Sequence, residues 1–123
     1  MDRQRKKELA EQYKQIKVYM GVYRLTNTGS GRMLVASSPN LKNREFSLRA
    51  QLDMGRHQNA QLQKEWNEQG GALFAYEVLE QKEAKKDTDA RWETKQLEKQ
   101  WLEKLQPFGE RGYNKPEMAR NQK

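Results

Sequence analysis

Cysteine is absent from these 123 residues, which excludes disulfides, thiolate nucleophiles and sulfur-ligated zinc. The single histidine, His57, leaves no material for a histidine-rich metal cage. No apolar run approaches the roughly 20 residues of a membrane-spanning helix. Met1-Asp2-Arg3 opens no signal peptide, so a cytoplasmic protein without a membrane partner is expected. Apolar residues are also scarce, 34% against 33% charged, with a mean hydropathy of −1.26. The core must be small and the surface densely charged, and a terminus is expected to stay outside the folded part. The length suits one domain.

Positive charge is abundant instead. The net charge is +7 and the pI near 9.7, a balance that favours a polyanionic partner, with DNA the expectation. The excess is concentrated in Arg3-Gln4-Arg5-Lys6-Lys7, in the tail, and in Arg24, Arg32, Lys42, Arg44, Arg49 and Arg56, whereas Gln58 to Gln106 carries more acids than bases.

Two β-prone runs, Met20–Asn27 and Arg32–Ser38, flank Thr28-Gly29-Ser30-Gly31 and read as an antiparallel hairpin. Alternation puts Met20, Val22 and Arg24 on one face and Gly21, Tyr23 and Leu25 on the other. A glycine inside a strand, such as Gly21, implies close approach to its backbone. Before the hairpin, residues 2–16 are helix formers with Leu9, Tyr13 and Ile16 on one stripe. After it, Ser38 or Asn40 is expected to cap a helix running to about Met54 and stopping at Gly55. Leu41, Glu45, Leu48 and Leu52 mark its inward face, with Arg44 beside them. A further helix is predicted from His57-Gln58-Asn59 to Gly70-Gly71, then a third strand over Ala72–Leu79. Glu80–Asp89 reads as a solvated connector, Thr88 or Asp89 as the cap of a long helix to Leu105, and Gly109–Lys123 as a polar tail. The expected fold is α/β of the α+β type, a three-stranded antiparallel sheet with helices packed on it.

In the last helix Leu97, Trp101 and Leu105 form an apolar stripe, and Glu98 shares the face of Trp101, Leu102 and Leu105. A carboxylate there either lies at the stripe's edge and reaches water, or is met by a cation, a metal or a hydrogen-bond donor.

These pieces together resemble the GIY-YIG nuclease superfamily in order and spacing, from Met20 to about Asn114. Gly21-Val22-Tyr23 matches the first tripeptide, and Leu34-Val35-Ala36 stands where the second belongs. Asn40-Leu41-Lys42-Asn43-Arg44 is similar to the approach to the family's arginine helix, and Gly55-Arg56-His57 to its G-x-H stretch. Glu98-Lys99-Gln100-Trp101-Leu102 resembles the glutamate segment and Gly112-Tyr113-Asn114 its closing Y-N. The domain division expected is a charged helix over 1–17, the GIY-YIG-like domain over 18–114 and a polar tail over 115–123.

The resemblance implies a role for each matched position. Tyr23 would activate or orient water, Arg44 would contact the scissile phosphate, Glu98 would hold one Mg²⁺ or Mn²⁺, and Asn114 would support the site. His57 either keeps the family's histidine role or, as a loop residue beside Arg56, touches phosphate backbone or nothing. Arg24, Arg32, Lys42, Arg49 and Arg56 are the expected nucleic-acid contacts. Departures accompany the match: Leu34 replaces the second motif's tyrosine, Ala36 its glycine, and Leu48 a polar residue one turn after Arg44. Leu34 and Leu48 are expected to make the site wall apolar. Three functions follow: a DNA endonuclease of weakened activity, a non-catalytic DNA-binding or adaptor module with the nuclease fold, or a protein paired with a second copy through its N-terminal helix.

Overall fold

The computed structural model describes residues 17–115. The N-terminal helix expected over 2–16, its basic run, its pairing with a second copy, and the end of the tail all lie outside these residues. Strand β1 (Val18–Asn27) is central, hydrogen-bonded on one side to β2 (Met33–Ser38) and on the other to β3 (Phe74–Ala84), every pair antiparallel. Helices α1 (Arg44–Asp53), α2 (Ala60–Gln69) and α3 (Ala90–Leu105) complete the α+β fold. Among the described residues no helix is long and apolar enough to cross a membrane.

Strand alternation splits the core into two layers. Tyr23, Leu25 and Leu34 meet Leu48 and Leu52 of α1, Leu62 and Trp66 of α2, and Phe74. On the opposite face Val22 and Val35 pack on Leu102, with Leu97, Trp101 and Leu105 around them. The sheet is therefore covered on both sides, which suits a sequence with few apolar residues: each layer needs only a handful.

The third strand departs from its expected range. Gly71–Leu73 forms a 3₁₀ turn, and the strand starts at Phe74 and continues to Ala84 through the charged run read as a connector. The reason is β1, which begins at Val18 and so offers Tyr19, Met20 and Gly21 as partners to Glu83, Lys82 and Gln81. Solvated charges along a sheet edge are compatible with strand. A bulge beside Leu79 shifts the register between Val22 and Tyr23. Close to it, a Cβ on Gly21 would sit 2.0 Å from the Glu80 carbonyl oxygen, so the close approach implied by that glycine is to β3.

Helix α1 also starts later than expected. The Ser38 hydroxyl and the Asn40 side chain accept from the Asn40 and Lys42 amides, holding a turn, and Asn43 sits at φ 58° without capping through its side chain. Glu45 is exposed rather than inward because it pairs with Arg49 one turn on, at 3.0 Å. Helix α2 begins at Ala60, where Asn59 accepts from the Leu62 amide, which leaves His57 and Gln58 in the preceding loop. Asp89 caps α3 by accepting from Trp92, as expected.

The polar segment after Gly109 is fastened to the sheet through its first residues. The Tyr113 amide donates to the Met33 carbonyl at 2.9 Å. Asn114 both accepts from and donates to the backbone of Val35, at 2.9 and 2.8 Å. These bonds occupy the outer edge of β2, which β1 leaves open. A Cβ on Gly112 would lie 2.3 Å from the Pro107 carbonyl oxygen, so this crossing is too tight for a side chain.

Candidate active site

A cavity of about 390 Å³ lies around β2, and its lining draws on both layers of the core. Tyr23, Leu34 and His57 come to it from the α1 and α2 side. Glu98 and Lys95 come from α3, and Asn114 from the clasp across the β2 edge.

Tyr23 is 2% exposed, and its hydroxyl oxygen accepts from Arg44 Nε at 3.1 Å. The guanidinium also stands 5.5 Å from the Tyr23 ring centroid. Residue 44 is the first of α1, one turn before the buried Leu48, and that spacing aims the arginine along the sheet toward the tyrosine. Its terminal amino groups have no partner among the described residues, so they remain able to fork onto an anion. Tyr76 stacks on Tyr23 at 5.3 Å between centroids. Burial, followed by the neighbouring Tyr23, pushes the Tyr76 hydroxyl up to about 12 and keeps it protonated.

His57 is anchored at both ends. Its amide donates to Gln63 Oε1, and its ring Nδ1 accepts from the Asn59 amide at 3.0 Å. A backbone amide can only donate, so the ring carries its proton on Nε2. Burial, followed by the charge of Arg44, holds the imidazole pKa below its ordinary value. At neutral pH this is a neutral ring with one N–H to offer.

Glu98 is the carboxylate whose position beside an apolar stripe posed a choice, and donors meet it. Ser37 Oγ donates to Oε1 at 2.9 Å, and Lys95 Nζ lies 3.9 Å from Oε2. Its side chain keeps 18% exposure, enough to present an oxygen to the cavity. Among the described residues no cluster of three or more His, Asp or Glu could cage a metal. A lone carboxylate fits a weakly held Mg²⁺, which keeps most of its waters and takes further ligands from a phosphate.

The two aliphatic departures have different fates. Leu34 lines the cavity. Leu48 does not: it is fully buried with Leu52, because its place four residues after Arg44 points into the core. The apolar part of the lining is therefore made by Leu34 and Ala36 together with Val35 and Leu102, without Leu48.

The basic residues separate too. Arg24 is bound to Glu77 at 2.7 Å and Arg32 to Glu65 at 2.8 Å. Arg49 pairs with Glu45 and donates to the carbonyls of Gly71 and Phe74, tying α1 to the start of β3. Lys42 and Arg56 are exposed and have no ion pair among the described residues.

Sequence reasoning missed Ser37, Lys95 and a buried hub at Glu65. Alternation was the available signal for Ser37, which shares the α3-facing side of β2 with Val35. Lys95, one turn before Glu98, was legible by helix spacing. Glu65 is 6% exposed and collects four donors: Tyr113 Oη and Asn27 on Oε1, Arg32 and Gln61 on Oε2. Burial alone would raise its pKa, but the four bonds outweigh burial and hold it below the ordinary value. Nothing in a run of Gln, Lys and Glu announces such a hub, since three of its four partners, Asn27, Arg32 and Tyr113, lie more than thirty residues away in sequence.

No family model matches the chain and no curated protein matches it. Two solved structures are similar over most of its length. A glutamate-to-alanine mutant of the catalytic domain of intron endonuclease I-TevI aligns at a TM-score of 0.64 and 25% identity, covering 80% of this chain and 93% of that one. The catalytic domain of homing endonuclease I-TevI aligns at 0.62 and 25%, covering 77% and 96%.

Proposed function

We propose, for a chain whose fold is that of the GIY-YIG nuclease superfamily, metal-dependent hydrolysis of DNA phosphodiester bonds at a reduced rate. The supporting observation is that Tyr23, carrying Arg44 on its hydroxyl, shares one cavity with His57 and Glu98, residues scattered across most of the fold.

Each side chain has a task suited to its surroundings. Arg44 binds the scissile phosphate through its terminal amino groups while Nε fixes the Tyr23 hydroxyl. Tyr23 then has its phenol proton and its remaining lone pair available to orient a water for attack. His57 donates its Nε2 proton to a phosphate oxygen. Glu98 would hold a divalent cation, which when bound would supply neutralisation of phosphate charge and acidify a water. Leu34 and Ala36 form a wall without a hydrogen-bonding side chain, which leaves one side of the water unguided and slows the reaction. Lys42 and Arg56, exposed on either side of α1, are the phosphate contacts retained from the expected set. Arg24, Arg32 and Arg49 act within the fold instead.

The test is nicking of supercoiled plasmid with Mg²⁺ or Mn²⁺, run beside Glu98→Ala. Slow, metal-dependent nicking that vanishes in the variant supports the reading. Equal nicking by both proteins, or none by either, ends it. Salt-sensitive DNA binding without nicking would leave the binding-module alternative, which the aliphatic Leu34 favours.

A further inference from the structure

The helix that delivers Glu98 carries a second surface that neither the motif resemblance nor the catalytic reading uses. Arg91, Lys95 and Lys99 recur every fourth residue along α3, about 6 Å apart along the axis, and so form one slowly drifting stripe. Arg91 and Lys95 are exposed and Lys99 is half-buried. Trp92 stands beside the stripe, three residues before Lys95 and seven before Lys99, with 60% of its surface in water.

A single exposed apolar side chain is ordinary. The company of this one is not. Of the acids on the helix, Glu93 is engaged by Lys82, and Glu98, bonded to Ser37, stands 3.9 Å from Lys95 of the stripe, whereas Arg91 and Lys99 have no ion pair among the described residues. Glu103, exposed, follows only beyond Lys99. Lys95 itself lines the cavity of the candidate site, so the stripe meets that cavity at this residue.

An open indole amid regularly spaced cations fits a strand whose phosphates are negative and whose bases present bare faces. Stacking needs an accessible base, which a duplex interior does not offer and a single strand does. We infer that this face of α3 binds a single-stranded stretch of nucleic acid leading out of the cavity, with Trp92 stacking on a base and Arg91, Lys95 and Lys99 following the backbone. This rests on the nuclease reading only for what occupies the cavity; the binding face is measurable without cleavage.

The experiment uses the full chain and a fluorescein-labelled oligodeoxythymidine, with a blunt duplex and polyglutamate as comparison probes. Affinity is read by anisotropy and stacking by quenching of tryptophan emission. Trp92→Ala is expected to weaken oligodeoxythymidine binding about tenfold, in keeping with the about 1–3 kcal/mol of a base–aromatic stack, and to remove most of the quenching. Trp92→Phe should restore most of the affinity. Lys95→Gln with Lys99→Gln should lower the salt slope by about 1.4, at about 0.7 per phosphate contact on a single strand. All three positions are on the surface of α3, and unchanged melting temperatures exclude misfolding as the cause. Trp92→Ala binding within twofold of the parent overturns the proposal, as does duplex or polyglutamate binding as tight as that of the single strand. A protein that binds through Trp92 yet nicks nothing keeps this inference and loses the nuclease reading; one that nicks plasmid with Trp92→Ala unaffected in binding does the reverse.

Discussion

Replacing Glu65 by glutamine preserves shape and removes one charge, which makes it a sharp probe of the hub under α2. In the native protein both carboxylate oxygens only accept: Tyr113 Oη at 2.6 Å and Asn27 at 3.1 Å on one, Gln61 at 2.6 Å and Arg32 at 2.8 Å on the other. An amide has a single accepting oxygen, so in E65Q two of those donors would face an NH₂ group that also donates. Each buried donor left without an acceptor costs about 1–1.5 kcal/mol here, the lower part of the usual range because Arg32 can still reach water. The sum is about 2–3 kcal/mol, which corresponds to a fall of roughly 10–20 °C in Tm for a domain of this size. Thermal unfolding followed by far-ultraviolet circular dichroism reads it directly. The pH dependence has a definite sign as well. A carboxyl whose folded pKa is depressed contributes stability that is full above its unfolded pKa, about 4.3, and is lost as pH falls through the lower folded value. The gap between parent and E65Q should therefore be widest near neutrality and narrow below about pH 4. A variant melting within 2–3 °C of the parent at neutral pH, on the order of 0.5 kcal/mol, would refute the idea that four donors depend on this carboxylate.

Asn114→Leu strips both bonds from the Val35 backbone, which is 2% exposed, and should cost about 1–3 kcal/mol by chemical denaturation; a variant as stable as the parent would deny the clasp its role. Arg44→Lys keeps the charge but gives up the fork and the fixed Nε bond to Tyr23, so DNA affinity should change little while plasmid nicking falls at least about tenfold. Nicking equal to the parent's would remove Arg44 from the phosphate. His57 has its folded pKa lowered, so the stability it contributes is full above about pH 6.5 and is lost as pH falls through the folded value. His57→Gln should flatten the melting-temperature profile across that window, and a parent profile already flat there would contradict the buried neutral ring.

The hairpin, the central place of Tyr23 and the cap at Asp89 were readable because each rests on local chemistry, a turn, an alternation or a side chain three residues from its amide. The continuation of β3 through Glu80–Ala84 was not. Its strand character comes from pairing with β1 across more than fifty residues, and charged side chains on a wet edge carry no apolar pattern. The late start of α1 was hidden for a similar reason, since Ser38 and Asn40 serve a turn as readily as a cap. Leu48 was legible as core by helical period and as a lost polar group by motif position; the fold keeps the first and takes it off the cavity wall. The basic residues show the limit most clearly. Charge can be counted from sequence, but whether a guanidinium is free depends on the acids that folding brings to it, as Glu77 reaches Arg24 and Glu65 reaches Arg32.

The clasp at residues 112–114 also has a temporal meaning. A ribosome releases this chain from β1 onward, so the hairpin, the arginine helix and Glu98 all emerge before the residues that fasten β2 from outside. Tyr113 closes on Met33 and Glu65, Asn59 donates to the Tyr113 carbonyl, and Asn114 grips Val35 across 79 positions. Until that segment leaves the exit tunnel, the loop bearing His57 and the strand bearing Leu34 lack their common anchor. Completion of the cavity is thereby tied to the arrival of residues 112–114, and a nascent chain stalled before them would carry Tyr23, Arg44, His57 and Glu98 without the frame that aligns them.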